Sequence, residues 1–268
     1  MKYNDPAHER LVCIEQQATA HYWDTVWADT DFKNLASYSS AFQWIPDTTK
    51  KYLPKGTRIL EGGCGQGITV HTLSQAGFDV YGVDTALATI HQLKSRAPHL
   101  NVSTADINHL PFENDFFDGY WSLGVIEHNY EGYGLALQEM ARVIKPGGYL
   151  FLTVPAMSAL RRWKAKWGVY PAFKPDKGTR DNFYQFILSP LKLKDDLQNL
   201  GFTIVSKQFR DGFKGLKDEV PALKPLWSYL KKSQSVFSRA FKAVITHTAS
   251  PWAGHIVLLV ARKEITKN

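Results

Sequence analysis

The chain is poor in cysteine, in long apolar runs and in metal-ligating patterns. Its two cysteines, Cys13 and Cys64, are too few for a disulfide framework or a cysteine zinc site. No stretch approaches the ~18 consecutive apolar residues of a membrane-spanning helix, and the first residues lack the apolar core of a secretory signal. The histidines form no ligand-spaced pair. These absences predict a soluble, cytoplasmic protein in a reducing compartment, without a metal.

Charge is unevenly distributed along the chain. The 268 residues carry a formal net charge of +7, and 44% of them are hydrophobic, which is enough for a substantial core. Residues 1–150 contain 11 Lys and Arg against 17 Asp and Glu, whereas residues 151–268 contain 21 against 8. Such a basic half attracts anionic partners. It indicates an acidic or phosphorylated substrate, a membrane surface or nucleic acid.

A glycine-rich turn over residues 59–67 is the most informative motif. It reads Ile-Leu-Glu-Gly-Gly-Cys-Gly-Gln-Gly, with Glu61, Gly63 and Gly65 on alternate positions. Glycine permits a sharp bend and leaves no Cβ between the backbone and a ligand. A helix predicted over 68–75 would point its free N–H groups at the same ligand. Because Glu61 ends the preceding strand, the motif favours a cationic ligand such as an amino-acid sulfonium.

Two other nucleotide-binding patterns are absent. A dinucleotide-binding G-x-G-x-x-G would need glycine at position 68 or 70, where the chain has Ile68 and Val70. The Gly-Lys-Ser/Thr of a P-loop does not occur. We therefore expect no stabilisation by NAD, which argues against a nicotinamide oxidoreductase. The simpler alternative for the turn is a tight strand-to-helix connection with Cys64 as a small space filler.

Short strands alternate with helices through most of the chain. This alternation predicts an α/β fold: a Rossmann-like, seven-stranded, mostly parallel sheet with helices on both faces. Ligands of such sheets bind beyond the carboxyl ends of the strands, where Glu61, Asp84 and Asp106 are expected. The predicted strands are 58–60, 78–83, 101–105, 117–123, 149–154, 202–209 and 255–260.

In their joint order and spacing, several motifs resemble those of class I S-adenosylmethionine-dependent methyltransferases. The resemblance is closest to the small-molecule family with a UbiE-like, or type 11, domain, strong over residues 55–155 and weak over 180–210. It implies S-adenosylmethionine as the cofactor and S-adenosylhomocysteine as the product. The strings that carry it are 59–67, 80–84, 105–106, 110–112, 116–118, 127–128 and 139–148.

The resemblance also implies which residues contact the cofactor. Asp84 would accept two hydrogen bonds from the ribose, because a cis-diol offers two donors. Tyr22 or Trp23, in the aromatic stretch where many family members close a lid, would lie over the sulfonium in a cation–π contact. The alternatives are helix N-caps for Asp84 and Asp106 and ordinary helix packing for Tyr22. The full set is Glu61, Gly62, Gly63 and Gly65 for the methionine part, Asp84 and Thr85 for the ribose and adenosine, Asp106 and Ile107 for the adenine, and Ser122 and Leu123 near the sulfonium.

His128 is the candidate catalytic residue. It follows the fourth predicted strand, where substrate would meet cofactor, and histidine titrates in the useful range for a general base. The alternative is that Glu127 and His128 only begin the next helix. Some quinone-pathway relatives bind a metal through a further glutamate one turn earlier. Here that position is Gly124, a departure that argues against a metal.

The resemblance and the charge pattern together divide the chain into four regions. They are an N-terminal helical lid over 1–54, a cofactor-binding core over 55–155, a basic cap insertion over 156–189, and the C-terminal half of the sheet over 190–268. Within the last region, residues 223–245 have the spacing of one amphipathic basic helix. Its apolar side is predicted to pack on the sheet, to contact a membrane or lipid substrate in plane, or to lie beside a nucleic-acid surface.

Two classes of function remain. The first is O- or N-methylation of a small-molecule or lipid- or glycan-linked acceptor, with an amphipathic anionic acceptor and a peripheral membrane contact as expected partners. The second is an RNA-binding methyltransferase, or a protein that binds S-adenosylmethionine without catalysis. The RNA alternative is disfavoured because the basic residues are not interleaved with a recognisable stacking platform.

Overall fold

The computed structural model describes residues 1–28, 41–176, 178–233 and 235–265. Strands and helices alternate through most of this part of the chain, and one-turn 3-10 helices occur at 6–8, 126–128 and 221–223. The strands are β1 (Lys2–Asp5), β2 (Arg10–Ile14), β3 (Arg58–Gly62), β4 (Asp79–Asp84), β5 (Asn101–Thr104), β6 (Phe117–Leu123), β7 (Ile144–Pro155), β8 (Phe183–Ile187), β9 (Phe202–Arg210) and β10 (Ile256–Lys263). The helices are α1 (Ala20–Ala28), α2 (Trp44–Thr49), α3 (Ile68–Gln75), α4 (Leu87–Arg96), α5 (Gly134–Val143), α6 (Ala159–Lys166), α7 (Pro190–Asn199), α8 (Gly212–Glu219), α9 (Lys224–Lys232) and α10 (Val236–Ala253).

The main sheet has seven strands in the order β5-β4-β3-β6-β7-β10-β9. The first five of these strands are parallel, whereas β10 runs antiparallel to both of its neighbours. The predicted Rossmann-like sheet is thereby confirmed. Buried apolar side chains cover both faces of the sheet, with Leu60 and Leu152 in one cluster and Ile59 and Phe151 in the other. This alternation follows from the period of two along a strand.

The amino-terminal region differs from the prediction. The lid predicted over 1–54 is helical only in part: β1 and β2 form a hairpin, and β2 pairs with β8 in a separate three-stranded sheet. Leu11 and Val12 of β2 are fully buried. Burial of this apolar strand against β8 outweighs local helix propensity, which is a weak preference by comparison. The helical part of the expected lid is α1, and residues 29–40 of that region lie outside the described residues.

The basic insertion over 156–189 is more regular than predicted. It contains α6 and then β8, which ties the insertion to the amino terminus through β2. Arg161 of α6 is 1% exposed and donates through Nε to Glu219 of α8 at 2.9 Å. Glu219 also accepts from Lys164 and from the hydroxyl of Tyr170, so burial of the two charges is offset by several hydrogen bonds.

The single helix predicted over 223–245 is wrong. The segment forms two helices: α9 ends at Lys232, and α10 begins at Val236. Ser235 begins α10 as its N-cap, since its hydroxyl accepts from the backbone N–H of Ser238 at 3.1 Å. Among the described residues, no helix is both long and apolar enough to cross a membrane.

Candidate functional site

A cavity of about 610 Å³ lies beyond the carboxyl ends of the parallel strands. The three acidic residues predicted there, Glu61, Asp84 and Asp106, share this one cavity, because the parallel strands end at the same edge of the sheet. Nine of the predicted residues line it: Glu61, Gly63, Gly65, Asp84, Thr85, Asp106, Ile107, Leu123 and His128.

Three predicted contacts do not line the cavity. A Cβ at Gly62 would overlap the hydroxyl of Tyr120, so this glycine makes room for a core side chain rather than for a ligand. Ser122 is fully buried on the face of β6 opposite to Leu123, as alternation along a strand requires. Tyr22 packs against Trp23 and Tyr184. The residues of α1 that line the cavity are Trp23 and Trp27.

The glycine turn is held to the neighbouring strand by Asp84. One carboxylate oxygen of Asp84 accepts the N–H of Gly65 at 2.8 Å, and the other accepts the N–H of Ala86 at 2.9 Å. Gly63 and Gly65 have positive φ values of +77° and +46°, a region that favours glycine. A Cβ at Gly63 would also come within 2.5 Å of Val125. The turn is therefore held in shape by glycines at positions that need a positive φ and by the buried carboxylate of Asp84. Asp84 keeps further lone pairs that can accept hydrogen bonds from a ligand.

Glu61 is a buried carboxyl that lacks a counter-charge. It is 3% exposed, and its Oε2 has no hydrogen-bond partner among the described residues. Burial raises the pKa of Glu61 to about 8, against weaker lowering by Thr69 and the Val70 backbone. The desolvated carboxyl favours its neutral form until a cation approaches. This chemistry fits the ammonium group of an amino-acid ligand.

The loop after β5 presents polar acceptors to the same cavity. Asp106 is exposed, and its Oδ1 accepts both the backbone N–H and the side-chain amide of Asn108 at 2.9 Å. The amide oxygen of Asn108 is buried without a partner, and this residue lines the cavity. Asn108 thus adds a hydrogen-bond acceptor to the cavity beside Asp106. Its local sequence gave no sign of this, because asparagine after a strand is common in turns.

Helix α1 forms an aromatic wall over the glycine turn. Trp23 stacks on Trp27 with ring centroids 5.8 Å apart. The indole of Trp27 packs closely on Gly65, because a Cβ at this glycine would lie only 3.1 Å from the ring. Asp24 fixes α1 to α4, because it accepts from the backbone and hydroxyl of Thr89 at 2.9 and 2.8 Å. Of the two residues predicted to lie over the sulfonium, Trp23 lines the cavity and Tyr22 does not.

Glu127 and His128 lie where the two ends of the cavity meet. Glu127 is 1% exposed with an unpartnered Oε2, and burial raises its pKa to about 8. His128 Nδ1 lies 2.7 Å from the carbonyl oxygen of Tyr184. Since a carbonyl only accepts, Nδ1 carries the proton and donates, and Nε2 keeps a free lone pair. Burial lowers the pKa of His128, so the imidazole is neutral at pH 7.

The far end of the cavity carries charges of both signs. It is lined by Lys214 of α8, by Asp211, which directly precedes α8, and by His255, the residue before β10. Lys214 Nζ lies 2.6 Å from His255 Nε2, and Arg161 Nη2 lies 3.0 Å from His255 Nδ1. Burial, together with these cations, lowers the pKa of His255 although Asp218 opposes the shift, so the ring is neutral. Burial also lowers the pKa of Lys214, and Asp218 and Asp211 oppose this shift.

The geometry of sheet, glycine turn and acidic strand ends defines a class I nucleoside-binding methyltransferase site, and comparison with known proteins agrees. Residues 60–152 match the family model described as "Methyltransferase domain". A ubiquinone biosynthesis O-methyltransferase of Bartonella tribocorum is 31% identical over 160 residues, which cover 56% of this chain and 62% of that protein. The chain thus spans less than two thirds of the length of this relative.

Two solved structures share the fold over nearly the whole chain. A [4+2]-cyclase has a TM-score of 0.59 at 17% identity and covers 95% of this chain and 98% of its own. A Burkholderia thailandensis 1,6-didemethyltoxoflavin-N1-methyltransferase, solved with S-adenosylhomocysteine, has a TM-score of 0.53 at 17% identity and covers 98% of both chains.

Over residues 60–152 the chain is similar to the methyltransferase domain, and its fold is the one shared by class I S-adenosylmethionine-dependent methyltransferases. The cofactor of the family is S-adenosylmethionine, and the residues present fit it. Glu61 Oε2, which has no hydrogen-bond partner among the described residues, suits the ammonium group of the cofactor. The lone pairs of Asp84 suit its ribose diol, and the faces of Trp23 and Trp27 suit its sulfonium.

Proposed function

We propose that this protein transfers a methyl group from S-adenosylmethionine to an acceptor held between His128 and Lys214. The observation that supports this most is the shared cavity, with three carboxyl groups at one end and the Lys214 cation at the other. The acidic end suits the cofactor, whose bound form supplies an electrophilic methyl group on a sulfonium. The remaining end is then available to the acceptor.

The acceptor is an amphipathic molecule that carries an acidic group. Lys214 offers an ammonium for a carboxylate or phosphate, and Val154, Pro155 and Ile256 offer apolar contacts beside it. Since the similar Bartonella protein is named for ubiquinone biosynthesis, a lipid-linked acceptor is the variant we favour.

His128 acts as the general base. Its Nδ1–H is engaged by the Tyr184 carbonyl, which fixes the ring and leaves Nε2 to take the proton of an acceptor hydroxyl or ammonium. Trp23 packs edge-on against His128 with centroids 5.0 Å apart and keeps water from this side of the cavity. The protein's main contribution is alignment, which is worth on the order of 7–11 kcal/mol in well-oriented reactions.

The test combines binding with turnover. S-adenosylmethionine at about 100 times its Kd should stabilise the protein by about 2.7 kcal/mol, read as a rise in Tm. Formation of S-adenosylhomocysteine is then followed with matched acceptor pairs, an alkylated 4-hydroxybenzoate and its methyl ester, where the acid should be preferred. No thermal shift would overturn the cofactor assignment. If S-adenosylmethionine binds but none of a broad panel of acidic acceptors is methylated, the result would favour a role other than methyl transfer. A [4+2]-cyclase shares this fold.

A further inference from the structure

Helices α9 and α10 place apolar side chains on their solvent side. These form an outward face, which consists of Leu226, Tyr229, Val236, Phe237, Phe241 and Val244. Phe237 is 88% exposed, Val236 is 76% exposed and Tyr229 is 65% exposed. Contiguous apolar surface of this kind is unusual on a protein that contacts only water, and it marks an interaction site.

The orientation of α10 explains why this face is exposed. Its buried residues are small or polar: Ser238, Ala249, Ser250 and Ala253. Phe237, Phe241 and Val244 follow at spacings of four and three, so they share one side of the helix. The helix therefore turns small side chains to the protein and aromatic side chains to solvent, whereas an ordinary surface helix buries its large apolar side chains.

Cations without acids surround the outward face. Residues 220–253 contain five Lys and Arg and no Asp or Glu, and Lys232 and Arg239 among them are exposed. Helix α6, which packs against α10, adds Trp163 and Trp167, exposed at 58% and 69%. In its segment, 156–169, Arg162 and Lys166 are exposed, whereas Arg161 and Lys164 are paired with Glu219. Tryptophan, phenylalanine and lysine in this combination are typical of helices that lie in a membrane interface.

We propose that the outward face, together with Trp163 and Trp167, docks on an anionic membrane surface. Charge complementarity favours this occupant over a second copy, because a symmetric contact would bring two acid-free basic segments together. The composition of the outward face favours a membrane over RNA, since its six side chains are apolar or aromatic and form no ion pair with phosphate. The proposal does not depend on methyl transfer.

The docked face has a fixed relation to the cavity. Helix α8 packs closely on α10, because Gly212 donates its N–H to the hydroxyl of Ser250 at 3.0 Å and a Cβ at Gly215 would overlap the carbonyl of Ala253. The same helix carries Lys214 into the cavity wall. The outward side of α10 and Lys214 of α8 thus lie on two helices in direct contact.

The test is flotation of the full chain with vesicles of phosphatidylcholine alone or with phosphatidylglycerol added. We expect binding to the anionic vesicles, little binding to the neutral ones, and weaker binding in 0.5 M salt. The double variant Phe237→Ser/Phe241→Ser should lower the partition coefficient by about tenfold or more, because each buried aromatic contributes strongly to partitioning. Trp163→Ser/Trp167→Ser should lower it as well.

The matched control is Leu135→Ser/Leu191→Ser, which removes two leucines, each 53% exposed, from α5 and α7. This variant should bind like the parent, and unchanged Tm values would establish that all variants fold. Equal binding of the Phe237/Phe241 variant and the parent would overturn the proposal. So would a dimer in solution that this variant dissociates without any vesicle binding, or salt-sensitive RNA binding that is lost with Arg239→Ala/Lys242→Ala and kept in the phenylalanine variant.

Discussion

The two ends of the cavity differ in charge, and the difference separates their tasks. The end under β3, β4 and β5 carries Glu61, Asp84 and Asp106, whereas the end under β7 and β10 carries Lys214 together with Asp211 and a neutral His255. A cationic, amino-acid-bearing cofactor and an anionic acceptor would each find the opposite charge. His128 lies between them. Charge at the two ends thus orients the reactants before any chemistry begins.

The largest expected effect is on turnover at His128, which lies between the two ends of the cavity. His128→Asn should lower kcat by about 10²–10⁴, the usual contribution of a general base, and leave the Kd of S-adenosylmethionine unchanged. In the parent, activity should rise with pH through the lowered pKa of His128 and level off by neutral pH, because the neutral ring is the base. Unchanged turnover of the variant on its true acceptor would remove His128 from the mechanism.

Asp84 tests the acidic end. Asp84→Ala removes the acceptor for the Gly65 and Ala86 N–H groups and should raise the Kd of S-adenosylmethionine by about 100-fold, since hydrogen bonds to a charged group contribute about 1.5–3 kcal/mol each. Isothermal titration calorimetry measures the change. Asp79→Ala, at the opposite end of the same strand, should bind like the parent, and a similar loss there would point to a general structural defect.

Lys214 tests the opposite end. Lys214→Met keeps much of the side chain without its charge and should raise the KM of an acidic acceptor by about tenfold. A hydrogen bond to a charged group contributes about 1.5–3 kcal/mol, and the lower value corresponds to about tenfold. The neutral ester of that acceptor should respond little. Lys217→Met on the same helix serves as the control, because Lys217 does not line the cavity. Equal effects on acid and ester would contradict an anion-binding role.

The smallest effect is a proton released on cofactor binding. At pH 7 the Glu61 carboxyl is mostly protonated, because its pKa is about 8, and an approaching ammonium favours its ionised form. Affinity should therefore rise with pH up to about 8. Calorimetry in buffers of different ionisation enthalpy should detect up to about one proton released. Glu61→Gln should abolish this release, whereas Glu127→Gln should retain it; the reverse pattern would place the cation at Glu127.

Much of the site followed from local sequence because parallel strands end at one edge. The glycine turn, Asp84 and Asp106 each come directly after a predicted strand, so the strand order alone brings them together. The roles of Gly62, Ser122 and Tyr22 did not follow. Whether such a residue faces the cavity depends on which side of its strand or helix is turned inward. Neighbouring residues of a strand point to opposite faces of the sheet, so a shift of one position changes the face.

The sequence by itself determined the seven-stranded fold, the glycine turn and the acidic end of the site, since each rests on short-range periodicity and on residues near strand ends. Only the tertiary structure decided the end that carries Lys214, the aromatic wall of α1 and the outward face of α9 and α10. His255 reaches the cavity because β10 runs antiparallel and begins where the parallel strands end, and Lys214 reaches it because β9 ends at the same edge, just before α8. That reversal, like the side of a helix that meets its neighbour, is set by contacts between segments far apart in the chain.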